Sequence, residues 1–76
     1  MRYHFHIIDN EVSLNVEVAE LDTYEDALER GRALAAYLLH REPYSENPDM
    51  WEVRVTDEDG EEILSIPLSE VRGLSH

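Results

Sequence analysis

His4 and His6 are the first residues in the chain whose types could do chemistry. On a strand, alternate positions share a face, so two imidazoles would stand side by side at a spacing that zinc sites use. A complete site needs further ligands, from Glu52 or an aspartate on a neighbouring strand, and the sequence shows no such convergence. The competing reading is a hydrogen-bonded or solvent-facing pair, and the sequence favours it. A second candidate is the acidic run at residues 57–62, in which Asp57 and Asp59 would be the cation ligands. It lacks the D-x-D-x-D-G order and distal Glu of a calcium loop, and reads as a solvated hairpin turn. Ser13, Ser45, Ser65 and Ser69 with four histidines do not make a triad, because triads are defined by geometry. The chain has no cysteine, which excludes a thiolate nucleophile, a disulfide framework and a thiolate metal site. There is no phosphate-cradling glycine loop. No catalytic residue, cofactor or metal is assigned.

The charge balance speaks more loudly. Eighteen acidic residues face six basic ones, giving a formal net charge of −12, and all six basic residues are arginine. Arg2, Arg30, Arg32, Arg41, Arg54 and Arg72 cannot be gathered into a basic patch without acids nearby in sequence. Direct nucleic-acid binding is therefore disfavoured, since its affinity comes from clustered positive charge. A basic protein partner would instead be steered toward the chain. With 76 residues the chain makes one domain with a modest core, for which a homodimer is a reasonable expectation. No apolar run approaches a membrane span and no signal-like leader is present, so a cytoplasmic location is expected.

The elements that must position these residues follow from hydrophobic spacing. Residues 23–41 carry Tyr24, Ala27, Leu28, Leu34, Ala35 and Leu38 on one helical face, with Gly31 among them. Thr23 is the expected N-cap, with Asp26 three residues on. Glu25 and Asp26 complement the start of the helix, and His40 and Arg41 its last turn. Ala27, Gly31 and Ala35 make a smooth strip that lets the helix approach a sheet closely. Tyr3, Phe5 and Ile7 alternate with His4, His6 and Ile8 as a first strand facing the helix. Val12, Leu14, Val16 and Val18 alternate with Ser13, Asn15 and Glu17 as a second. A proline-containing loop over residues 42–49 follows the helix, with Tyr44 expected to pack back on the core. Trp51, Val53 and Val55 begin a third strand. Asp59-Gly60 marks a hairpin turn, and a fourth strand runs from about residue 62 to 66 or 68. Residues 69–72 are expected to form one terminal turn, and 73–76 a frayed tail.

The resulting fold class is α+β: a ββαββ domain over residues 1–72, with a mostly antiparallel four-stranded sheet and one helix packed on one face. The other face would show His4, His6, Ile8, Glu52, Arg54, Thr56, Ile63 and Ser65, too mixed for a second core. Strand order is left open. If the second strand lies at an edge, its clean alternation and lack of proline or lysine make it the better docking strand, through Val12, Leu14, Asn15, Val16 and Val18.

Arg2-Tyr3-His4-Phe5-His6, then Trp51, Val55, Asp57 and Gly60, then residues 64–68 and Ser69-Glu70-Val71, carry a resemblance. In order and approximate spacing the chain resembles a family of small uncharacterised bacterial proteins. These share an R-Y-x-F-H start, an alanine-rich central helix and a W-x-x-x-V-x-D-x-x-G hairpin. The resemblance covers roughly residues 2–72. It departs over residues 13–20, where the family usually has an acidic residue and a glycine and this chain has no glycine. It implies a compact domain and transfers no activity.

Three functional expectations result. The foremost is a small acidic noncatalytic protein-interaction or regulatory module. The alternatives are a small metal-dependent enzyme using His4 and His6, and an accessory factor occupying the basic groove of a nucleic-acid-binding partner.

Overall fold

The computed structural model describes residues 1–9 and 12–74, the last three of them as backbone only. Strand β1 (Arg2–Ile8) and β2 (Ser13–Glu20) form a hairpin, followed by helix α1 (Tyr24–Leu38). A 3-10 turn (Pro48–Met50) leads into β3 (Glu52–Thr56), β4 (Glu62–Pro67) and a short helix α2 (Leu68–Leu74). The four strands make one antiparallel sheet in the order β2-β1-β3-β4. The fold is thus α+β, with helices packed on one face of the sheet.

Burial follows the alternation. Tyr3, Phe5 and Ile7 of β1, Val53 and Val55 of β3, and Leu64 and Ile66 of β4 point into the core. Ala27, Gly31, Ala35 and Leu38 are the buried positions of α1. The small residues Ala27, Gly31 and Ala35 let the helix settle over β3 and β4. Thr23 caps α1 as its spacing implies, its hydroxyl accepting from the Asp26 amide at 3.1 Å. Asp57 organises the β3–β4 turn by accepting from the amides of Asp59 and Glu61 at 2.9 and 3.0 Å. Gly60 takes the positive φ of 84° that completes this turn.

Three expectations need correction. The helix ends at Leu38 rather than near residue 41, so His40 and Arg41 lie beyond its last turn. Tyr24 is half exposed and takes no part in the buried face, because it sits at the first helical position, outside the overlap with the sheet. The C-terminal segment is also more than one turn. α2 runs through Gly73 to Leu74 and buries Leu68 and Val71 against the core. Residues 75 and 76 of the expected tail lie outside the described residues.

Extents of 33 × 29 × 15 Å describe a slab only two layers thick. Among the described residues, no second layer covers the sheet face opposite the helices.

Candidate functional site

The uncovered face is built by the strand register. His4 stands opposite Thr56, His6 opposite Arg54, and Ile8 opposite Glu52; Arg54 in turn faces Ser65. His4 and His6 stack with centroids 6.4 Å apart and planes 21° from parallel. His6 Nε2 lies 3.0 Å from Thr56 Oγ1. Partial burial, then the neighbouring His4 and Arg54, hold the His6 pKa below its ordinary value.

A shallow cleft of about 350 Å³ brings His4, His6, Asp57 and Asp59 to one place. Proximity stops short of coordination. Among the described residues, no group of three or more histidine or carboxylate side chains could hold a metal ion. Asp57 is turned into its own hairpin through the two amide bonds it accepts. Glu52, the other ligand the sequence offered, accepts from the Ser65 hydroxyl and pairs with Arg54 at 3.5 Å. Arg54 Nε also approaches Glu62 Oε1 to 2.8 Å. That contact is an ion pair by distance only, since the buried Nε makes no hydrogen bond.

The strand order places β2 at one edge of the sheet and β4 at the other. Val12, Leu14, Val16 and Val18 are 43 to 50% exposed, so the apolar stripe expected of this strand is not covered. Two physical reasons account for it. First, α1 packs over β3 and β4 and meets β2 through Arg30 at Glu17, leaving the aliphatic residues of β2 exposed. Second, a bulge leaves Val16 without a cross-strand partner: Phe5 pairs with Glu17, while His6 pairs with Asn15. Leu14 therefore stands beside Ile7 on the helix side, and Val18 beside His4 on the open side. Uninterrupted alternation would have put them on one face.

The acids of β2 are matched within the chain. Arg30 of α1 donates to Glu17 through Nε at 3.1 Å and again through Nη2. This hydrogen bonding holds the Glu17 carboxyl below its ordinary pKa against the opposing effect of burial. Glu20 pairs with the Met1 amino group at 3.2 Å and with Arg2 Nε at 3.8 Å. The Arg30 contact was invisible to sequence reasoning, which had no means of placing α1 beside Glu17.

At the far end of the sheet, Tyr44 meets Trp51 edge to face at 4.7 Å, as a small satellite of the core. Among the described residues, no helix is long and apolar enough to cross a membrane.

These features define a small two-layer α+β domain with one open sheet face and one aliphatic edge. The chain belongs to the family described as Domain of unknown function (DUF6894), which matches residues 2–69. No curated protein matches the chain, and no solved structure does.

Proposed function

We propose that this domain is a noncatalytic protein-interaction module whose acidic surface takes a basic protein partner. The distribution of charge carries this reading. Glu17, Glu20, Glu52 and Glu62, all on the sheet, stand in ion pairs. Glu58, Asp59 and Glu61 at the β3–β4 turn, and Asp22, Glu25 and Asp26 at the start of α1, stand in none of these pairs. A net charge of −12 on so small a body steers a cationic partner by long-range attraction, which salt screens. A nucleic-acid-binding protein whose basic groove is occupied by this domain is one form of such a partner.

The test is affinity capture from native lysate at moderate ionic strength, with identification of what is retained. A basic protein released as salt rises, and lost when Glu58, Asp59 and Glu61 are all changed to Lys, supports the reading. Retention of no basic protein, or binding indifferent to both salt and charge reversal, overturns it. Added nucleic acid separates the groove-occupying form, because it would displace the domain rather than bind to it.

A further inference from the structure

We infer that the free edge of β2 pairs with the same edge of a second copy of this chain, antiparallel about a two-fold axis, giving a continuous eight-stranded sheet. This inference is independent of the basic-partner reading, because it concerns a part of the surface where the charge is already matched. Val12, Leu14, Val16 and Val18 line an edge that carries no proline and no lysine, and the bulge at Val16 is its one irregularity. Glu17 is tied to Arg30, and Glu20 to Arg2 and the Met1 amino group. A cationic partner therefore meets no unmatched charge here, whereas a second aliphatic, locally neutral strand meets its like. The opposite edge differs: β4 ends in Pro67, which blunts it.

The geometry restricts how two copies can meet. A two-fold axis perpendicular to the sheet puts both copies' helices on one side, and directly opposed residues then point to the same face. One residue must face itself across the axis. The bulge at Val16 divides the strand into residues 13–15 and 17–20, and the inferred dimer puts on the axis the exposed aliphatic residue of one of these segments, Leu14 or Val18. With Leu14 on the axis, Ser13 faces Asn15 of the other copy. With Val18 there, Glu17 faces Ala19 of the other copy. Within each segment, neither arrangement sets two carboxylates directly opposite.

Because the chain has no cysteine, single variants Leu14→Cys and Val18→Cys each carry one thiol. Opposed residues in an antiparallel pair lie about 4.5–5.5 Å apart at Cα, within the span a disulfide bridges. Mild oxidation should crosslink one of these variants to its own copy, while Ser65→Cys on β4 should stay monomeric. Sedimentation of the unaltered protein should show a dimer that grows with concentration and with salt, as repulsion between two acidic bodies is screened. This salt response is opposite to that of a basic partner, so failure of either reading leaves the other standing. Val16→Lys, with folding checked by circular dichroism, should weaken self-association by about tenfold or more. A monomer at every concentration and salt, crosslinking equal to that of Ser65→Cys, or a different protein captured at β2 in place of a second copy would overturn the inference.

Discussion

Gly31 of α1 leaves the space that Ile66 of β4 fills: a Cβ on Gly31 would lie 2.8 Å from Ile66 Cδ1 and 3.5 Å from Val55 Cγ2. An alanine there gains about 1 kcal/mol of helix propensity. Overpacking a closed core costs about 1–3 kcal/mol, and Ile66 is buried. Gly31→Ala should therefore lower the unfolding free energy modestly, and Gly31→Val more steeply, in urea denaturation. A Gly31→Ala protein more stable than its parent would show that Ile66 swings aside.

Leu68 opens α2 and is fully buried, with its amide donating to the Trp51 carbonyl at 3.1 Å. Leu68→Ala should cost about 2–5 kcal/mol, a large part of the stability of so small a domain. A loss within error of zero would mean that α2 is not part of the cooperative core. The measurement is the urea midpoint with the slope held constant.

The cap at Thr23 offers a smaller change. Thr23→Ala removes the acceptor for the Asp26 amide and should cost about 1 kcal/mol. Thr23→Ser and Thr23→Asp should retain most of it. An alanine variant as stable as the serine one would show that water replaces the hydroxyl.

Acid should weaken the fold through His6 and Glu17. Burial, then the neighbouring His4 and Arg54, lower the folded pKa of His6 below 6.5. Between that lowered value and 6.5 the unfolded chain binds more protons than the folded one, so stability rises with pH there and is lost as pH falls from 6.5. Glu17 acts in the same direction lower down: Arg30 holds its carboxyl below 4.5, and its contribution, present above 4.5, disappears as it protonates. Chemical denaturation between about pH 7.5 and 5.5 should show the loss, and His6→Gln should reduce it. An unchanged pH slope in that variant would assign the loss to other groups.

Much of the architecture was legible because alternation and helical spacing are local signals. Tyr3, Phe5 and Ile7, the Thr23 cap and the turn at Gly60 each follow from a few neighbouring residues. The strand order was not legible, since β1 pairs with β3 from His4↔Thr56 to Ile8↔Glu52, far apart in the chain, and no local signal encodes that choice. α2 was underestimated because Leu68 and Val71 supply only two apolar positions, too few to display a helical period. At the candidate surface, the aliphatic stripe of β2 was readable, but the bulge at Val16 was not: no glycine marks it. The pairing of Glu17 with Arg30 depends on how α1 lies relative to β2, which periodicity does not contain.

The strand order also constrains how the chain can assemble in time. β1 is an interior strand, yet its second neighbour, β3, begins at Glu52. A chain emerging from its amino terminus can close the β1–β2 hairpin and wind α1 early, using contacts between near residues. The side of β1 that β3 will occupy has no strand to receive it until Glu52 and the residues after it arrive. Until then Phe5 and Ile7 lack Val55 and Val53 opposite them, so the first half of the molecule is an incomplete core. Joining the two hairpins is the step that closes the longest loop and completes the burial. Interrupted synthesis would thus leave an intermediate with two open strand edges where the finished domain has β3 on one of them.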